Sequence, residues 1–260
     1  DEDPRTQLAD WLTNPENPFF ARAAVNRVWA NFFGRGFVEP VDDFRISNPI
    51  SNEPLLNALA RDFANRGYDY KQLIRTILNS RLYQFSSTPN DSNLTDTKNF
   101  SRSYRRRLGA EVLLDAINDV TAAKDHFNGS PLGTRAISTW SYKVDSHFMD
   151  AFGRPNPSTD CPCERDLRTS VVQSLHMMNA SELQRKLASS EGRVKKLASS
   201  KLTEAEIISE LYLTAYSRFP TERELEISSA AFKAEKATRQ TASEDILWAL
   251  LNSPEFVFNH

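Results

Sequence analysis

The spacing of apolar residues constrains the fold of this chain more than any other feature. Between Phe20 and Phe32 an apolar side chain recurs every three or four residues, which is the period of an α-helix with one apolar face. The polar residues in between are expected to face water: Arg22, Asn26, Arg27 and Asn31. The same spacing predicts helices over 55–63, 73–78, 112–120, 171–187, 207–215, 225–232 and 246–251. Because strand-like alternation is scarce and there are only eight glycines, we predict an all-α multi-helix bundle.

Two parts of the chain resemble each other. "LIRTILNSRLYQF" (73–85) aligns with "ILWALLNSPEFVF" (246–258), sharing Leu-Asn-Ser and the final Phe. Each follows an aromatic helix that ends in a turn with Arg, at 26–35 and 209–218. We predict two helical lobes that are internal pseudo-repeats, with chance similarity between amphipathic helices as the alternative. The Asn that closes each segment is expected to adopt the left-handed conformation.

A long irregular segment is predicted between the lobes. Residues 128–165 include seven Gly or Pro, which favours loop structure, and leave lobes at 1–127 and 166–260 that together form one compact domain. Loops carried by rigid helices often hold recognition residues. We therefore expect Trp140, Tyr142 and Arg154 to be exposed in a binding loop.

Charge excludes a general affinity for nucleic acid or anionic membranes. Thirty-two basic and thirty-four acidic residues give a net charge of -2, and no apolar run reaches the ~20 residues of a membrane span. The basic cluster at Arg102 and 105–107 is expected at a helix start, paired with Glu111, Asp115 or an acidic partner rather than nucleic acid. Since the chain begins without Met or an apolar signal segment, we expect it to be a piece of a longer polypeptide.

The only two cysteines, Cys161 and Cys163, flank Pro162. In extended backbone, residues two apart point to the same side, so the sulfurs could bond each other or one metal ion. At the start of a helix, beside Glu164 and Arg165, a thiolate would be stabilised. A disulfide or reducible pair, inert packed thiols and a metal site all stay open.

A zinc site would need two further ligands, for which His176 and His260 are the best candidates and His126 and His147 the next. His176 belongs to a polar strip with Gln173 and Asn179, beside the apolar Val172, Leu175 and Met178. The strip could line a site, but a structural His that bonds a neighbouring helix is the favoured interpretation.

The carboxylates Glu39, Asp42 and Asp43 lie between predicted helices. Paired carboxylates can act as acid and base or bind a hard cation. We instead favour capping of a helix or pairing with Arg35 and Arg45, which are close in sequence.

Six sequence blocks resemble a known family. The blocks lie at 17–45 ("NPFFARAAVNRVWANFFGRGFVEPVDDFR"), 67–87, 106–117, 152–166 ("FGRPNPSTDCPCERD"), 174–179 ("SLHMMN") and 250–260. They resemble the planctomycete-type C-terminal domain of unknown function found in exported proteins that also carry a cytochrome-c-like domain. The resemblance implies an extracytoplasmic setting, periplasmic or at the cell surface, which favours the disulfide at Cys161 and Cys163. It brings no catalytic residues.

The sequence therefore predicts a non-catalytic accessory or interaction module of an exported, cytochrome-linked protein, in surface electron transfer or polymer utilisation. The resemblance implies that other domains of the parent protein are the partners, the cytochrome-c-like one first. Haem is expected only in that separate domain, because this chain has no C-x-x-C-H. The alternatives are an enzyme or redox or metal module at Cys161, Cys163 and His176, and a structural spacer.

Overall fold

The computed structural model describes residues 3–139, 144–155, 169–179 and 181–259. The chain divides into two compact units, the first reaching to Arg106 and the second running from Arg107 to Asn259. The lobes predicted at 1–127 and 166–260 stay a prediction.

The described part of the first unit contains four helices: α1 (Pro4–Thr13), α2 (Phe20–Phe33), α3 (Glu53–Asn65) and α4 (Tyr70–Leu78). Asn and Asp residues begin several of them; for example, the Asn52 side chain accepts from Leu55 N and the Asp69 side chain from Gln72 N. Strand β1 (Arg106–Arg107) follows at the junction of the units.

The described part of the second unit contains nine helices and strand β2. They are α5 (Ala110–Thr121), α6 (His147–Ala151), α7 (Val171–Asn179), α8 (Ser181–Leu187), α9 (Arg193–Ala198), α10 (Glu204–Tyr216), α11 (Glu222–Phe232), α12 (Arg239–Leu251), α13 (Pro254–Val257) and β2 (Phe258–Asn259). Strands β1 and β2 pair as a two-stranded sheet.

These elements confirm the predicted all-α fold, because the described residues are mostly helical and hold almost no strand. The helix predicted over 171–187 is observed as two helices, α7 and α8. Within the predicted irregular segment, the described residues include a 3-10 turn, Ala136–Ser138, and helix α6.

Aromatic rings form the core of the first unit. Trp29 of α2 stacks on Phe33 with the ring centroids 4.1 Å apart, and it also contacts Phe37 at 4.3 Å and Phe100 at 5.5 Å. Leu56, Phe63, Leu73 and Ile77 of α3 and α4 complete this core. Aromatic groups bury large areas and interact through their ring edges, so this cluster holds the helices together.

Asn26 does not face water as predicted, because its side chain is fully buried among backbone groups of the loop after α2. Its Oδ1 accepts from Phe37 N (2.7 Å) and Val38 N (3.1 Å), and its Nδ2 donates to Val38 O (3.1 Å) and Val41 O (2.7 Å). A Cβ at Gly36 would lie 2.8 Å from Asn26 Oδ1, so only Gly fits the loop there. One amide side chain therefore folds the loop onto α2.

The core of the second unit is mainly aliphatic, with a few aromatic residues such as Phe148 and Phe152. Buried side chains from α5, α6, α10 and α12 contribute to it, including Leu113, Ile117, Met149, Ile207, Leu211 and Leu247. Of the predicted apolar faces, those of α5, α10 and α12 contribute buried residues to this core.

Corresponding turns in the two aligned segments have the same local geometry. Helices α2 and α10 both end in a left-handed residue, Gly34 at φ 73° and Ser217 at φ 57°. After α4 and α12, Ser80 Oγ accepts from Tyr83 N at 3.3 Å and Ser253 Oγ from Phe256 N at 3.2 Å. The duplication itself stays a prediction.

The expected left-handed Asn is wrong at both positions. Asn79 has φ -82° and Asn252 has φ -88°. Each continues the helix by one residue, and its N–H donates to a carbonyl four residues earlier at 3.1 Å. The following Ser closes the turn, so no left-handed residue is required.

Arg218 links the end of α10 to two later elements. Its guanidinium donates to both carboxylate oxygens of Glu224 (2.8 and 2.8 Å) and of Glu255 (2.7 and 2.8 Å). It also lies 5.3 Å from the centroid of the Tyr216 ring. Hydrogen bonds from Arg218 hold the pKa of Glu224 down to about 2.

Candidate functional site

A small pocket in the second unit is lined by His176, one of the predicted candidate ligands. Helices α5, α6, α7 and α8 build it, and the lining residues are Leu114, Ile117, Phe148, His176, Met177, Glu182, Leu183 and Lys186. Its walls are mainly apolar, and the space inside is about that of one water molecule. The pocket therefore suits a water or a small ion rather than an organic substrate.

Lys186 supplies the buried charge beside this pocket. Its side chain is only 8% exposed, and its Nζ donates to Asp125 Oδ1 and to Asn118 Oδ1 at 2.6 Å. Glu182 Oε1 lies 3.8 Å away, and Asn118 Nδ2 donates to Asp125 Oδ2 at 2.8 Å. A buried charge is tolerated when it is paired and hydrogen-bonded in this way, so the ammonium serves as an internal tie from α8 to α5.

His176 packs against aromatic rings. Its ring centroid lies 5.6 Å from Phe148 and 6.1 Å from Phe152, both at steep angles. The Nε2 atom is buried without a hydrogen-bond partner among the described residues. The structural role of His176, with a bond to a neighbouring helix, stays a prediction.

The first residue of the "FGRPNP" block, Phe152, packs in the core of the second unit. Phe152 stacks on Phe148 at 4.4 Å, and Arg107 Nη2 donates to Phe152 O at 2.9 Å with its guanidinium 5.4 Å from the Phe152 ring. The prediction that Arg154 is exposed is wrong: the residue is 7% exposed, and its Nε donates to Asp150 Oδ1 at 2.6 Å. An ion pair with the preceding helix α6 holds it inside.

Helix α7 has the opposite orientation to that expected of an amphipathic helix. Gln173 and Met177 are buried, whereas four apolar side chains on the other side are half to three-quarters exposed: Val171 (75%), Val172 (62%), Leu175 (52%) and Met178 (48%). We call these four residues the outer face of α7. Within the polar strip of α7, His176 lines the small pocket, while the apolar residues beside the strip face outwards.

The predicted carboxylates form ordinary surface pairs. Asp42 binds Arg27 rather than Arg35, with 2.7 and 2.8 Å hydrogen bonds, and Asp43 binds Arg45 as predicted. Glu39 accepts from Gly36 N at 3.0 Å. These contacts favour the structural interpretation of the three acids.

The basic cluster is not at a helix start. Arg106 and Arg107 form β1, and α5 begins later, at Ala110. Arg106 Nη1 donates to Asn31 O, and burial lowers its pKa. Asp115 instead accepts from Ala136 N (2.7 Å) and Ile137 N (3.0 Å), so it anchors a turn rather than the arginines.

Seven predicted site residues lie outside the described residues: Trp140, Tyr142, Cys161, Cys163, Glu164, Arg165 and His260. The disulfide, the metal site and the aromatic part of the binding loop therefore stay predictions. Among the residues that are described, no three His, Cys, Asp or Glu side chains converge as a metal site requires. No helix in the same ranges is long and apolar enough to cross a membrane.

Sequence analysis missed Lys186, Asp125 and Asn118. Lys186 lies more than sixty residues along the chain from Asp125 and Asn118, so no local pattern links it to them. The available signal was Lys186 itself, which falls on the apolar side of its helix with Leu183 and Leu187.

Comparison with known proteins gives one match. Neither the curated proteins nor the solved structures that were searched include a match to this chain. The family described as "PSD1: Protein of unknown function (DUF1553)" matches residues 4–232, which span most of both units. The chain is therefore a member of the PSD1 (DUF1553) family.

Proposed function

We propose that this chain is a non-catalytic interaction module whose outer face of α7 binds another domain of its parent protein. The orientation of α7 carries the proposal. A helix that buries Gln173 and exposes Val172 and Leu175 leaves apolar surface in contact with water, which is unfavourable. A partner that covers the exposed side removes this apolar surface from water and so stabilises the complex.

The favourable free energy of binding depends on how much apolar area the partner covers. Burial of apolar surface contributes roughly 25 cal/mol per Å², so covering four such side chains stabilises an interface by several kcal/mol before association costs. Gln173 and Met177 hold the helix in this orientation from inside, and the packing of His176 on Phe148 adds to it. The outer face is thus presented by a fixed helix.

The resemblance described above supports the identity of the partner. It implies an exported parent protein with a cytochrome-c-like domain, acting in surface electron transfer or polymer utilisation. We assign that domain as the neighbour that contacts α7. In this role the chain positions the haem domain and performs no reaction.

A test introduces a charge on the outer face in the full-length parent protein. Leu175→Glu should separate the domains and speed protease cleavage between them, because the carboxylate cannot be buried at an apolar interface. Ile227→Glu on α11 is the matched control, since Ile227 is an apolar residue of another helix that is at least as exposed (63%) as Leu175 (52%). Equal cleavage rates for the two variants would refute the proposal.

A second function, a redox or metal module at Cys161, Cys163 and His176, is favoured by one observation. His176 Nε2 is buried without a hydrogen-bond partner in the described ranges, as a ligand atom awaiting a metal would be. Intact mass with and without reductant, together with metal analysis, decides it. Stoichiometric metal that is lost in Cys161→Ser would support this function; a mass two hydrogens lower and no metal would support a disulfide brace.

A further inference from the structure

The loop between α5 and the 3-10 turn, residues 122–135, contains the only Asn-Gly pair in the chain, Asn128-Gly129. Both residues are exposed, and they form the middle of a tight turn in which Ser130 N donates to Phe127 O at 2.9 Å. Gly129 has φ 80°, a conformation that favours glycine. The pair therefore lies at the surface in a closed turn.

The Asn128 amide is free to approach the backbone of the next residue. Within the described ranges, neither the Asn128 side chain nor the Gly129 N–H makes a hydrogen bond, because the turn is closed by the N–H of Ser130 instead. A Cβ built on Gly129 would meet no atom within 4 Å, so the space beside its nitrogen is open. The side-chain carbonyl of Asn128 can therefore rotate towards Gly129 N without losing a partner.

Other asparagines of this chain lack this combination. Seven of them in loops or at helix ends have side chains held by hydrogen bonds: Asn14, Asn17, Asn48, Asn52, Asn90, Asn93 and Asn99. Each of the seven precedes proline or another residue with a side chain. Asn79 is exposed, but the next N–H, that of Ser80, donates to Ile77 O at 3.1 Å. Asn128 thus combines a free amide with an uncovered neighbouring nitrogen.

We propose that Asn128 is a modification site at which the folded protein converts asparagine to aspartate and isoaspartate without an enzyme. Gly129 N loses its proton and bonds to Cγ of Asn128, while the Cγ–Nδ2 bond breaks and ammonia leaves. The cyclic imide so formed takes up one water and opens at either carbonyl, which leaves aspartate or isoaspartate at position 128. Water is the co-reactant, and no group is oxidised or reduced.

Conversion changes a loop that helps to hold the second unit together. Asp125 of the same loop accepts a hydrogen bond from the Lys186 ammonium, and Phe127 is 4% exposed in the core. In isoaspartate the main chain runs through the side-chain carbon, so the chain between Phe127 and Ser130 becomes one bond longer. The hydrogen bond that closes the turn then no longer fits, and we expect the converted protein to be less stable.

Incubation of the folded protein at mildly alkaline pH tests the proposal, because the attacking nitrogen loses its proton more readily there. Peptide mass spectrometry measures conversion, and methylation by an isoaspartyl methyltransferase detects isoaspartate. The test variants are Gly129→Ala, which covers the nitrogen, and Asn128→Gln, whose longer side chain closes the ring less readily. Gly133→Ala is the matched control, since Gly133 is another glycine of this loop with positive φ (82°) and its change leaves the Asn-Gly pair intact.

We expect the peptide with Asn128 to convert roughly tenfold faster than the peptide with Asn79 in the same sample, because glycine leaves the attacking nitrogen uncovered. Both test variants should suppress this conversion, and Gly133→Ala should not. Conversion of Asn128 that is no faster than that of Asn79, or that becomes fast only in urea-unfolded protein, would overturn the proposal.

Urea denaturation measures the effect on the loop. Converted protein should unfold at a lower urea concentration than fresh protein. Asn128→Asp, which adds the charge without lengthening the main chain, should unfold closer to fresh protein. Equal midpoints for fresh and converted protein would refute the proposed effect on stability. None of these results depends on the proposed partner of α7.

Discussion

Individual polar side chains determine much of the local structure of this protein. Asn26 satisfies four backbone groups of one loop, and Lys186 joins α8 to Asp125 and Asn118. Neither role could be read from the sequence, because the partners of these side chains are set by tertiary structure. A polar residue beside an apolar stripe has the same sequence signature whether it faces water or a buried loop.

Asn26→Ala should lower the free energy of unfolding by about 3 kcal/mol, because the substitution leaves buried backbone groups of the loop without partners. Urea denaturation measures the change. Asn31→Ala is the control on the same helix, since Asn31 is exposed, and should cost less than about 1 kcal/mol. Equal costs for the two variants would show that the buried hydrogen bonds do not stabilise the fold.

The Arg218 cluster makes stability depend on pH in the acidic range. The pKa of Glu224 is lowered in the folded state from 4.5 to about 2, so the folded protein binds this proton less readily than the unfolded chain does. The stabilisation by ionised Glu224 is therefore complete above about pH 4.5 and is lost as the pH falls towards about 2.

Glu224→Gln should remove this component. The stability difference between wild type and variant, measured by urea midpoints between about pH 6 and about pH 2.5, should narrow as the pH falls. A difference that stays constant across this range would mean that Glu224 titrates normally in the folded protein.

At the level of elements, periodicity predicted helices better than it predicted their orientation. The apolar spacing over 20–32 and 207–215 corresponds to α2 and α10, each of which buries one apolar face. Helix α7 has the same kind of pattern, but its Leu175 and Met178 are exposed. Periodicity shows that a helix has two faces, but which face is buried depends on what the rest of the chain offers to cover it.

Ser217→Gly should stabilise the protein by about 1 kcal/mol, because Ser217 ends α10 at φ 57°, a conformation that costs free energy for any residue with a Cβ. Gly34 already occupies the corresponding position after α2. Thermal unfolding measures the effect.

Ser209→Gly is the control, because position 209 lies in the middle of α10, where glycine is unfavourable. This substitution should destabilise the protein by a similar amount. If Ser217→Gly lowered the melting temperature as Ser209→Gly does, the left-handed helix end would not be present in solution.

At the level of the whole molecule, the sequence predicted the fold class and membership of a family of unknown function but not a site, and the planctomycete origin and the cytochrome-c-like partner domain stay predictions. The helical fold follows from residue spacing, and the PSD1 (DUF1553) family matches residues 4–232. The candidate site could be predicted only at His176, since its other components, Lys186, Glu182 and Phe148, come from two other helices, α8 and α6. The outer face of α7 became visible only when burial was known.

We propose that a neighbouring domain covers the outer face of α7. A photo-crosslinking residue at position 175 of the proposed full-length parent protein tests this proposal, with position 227 as the exposed control. We expect crosslinks from position 175 to peptides of the proposed cytochrome-c-like domain and none from position 227. Crosslinks from position 175 that stay within this chain, or the same products from both positions, would contradict it.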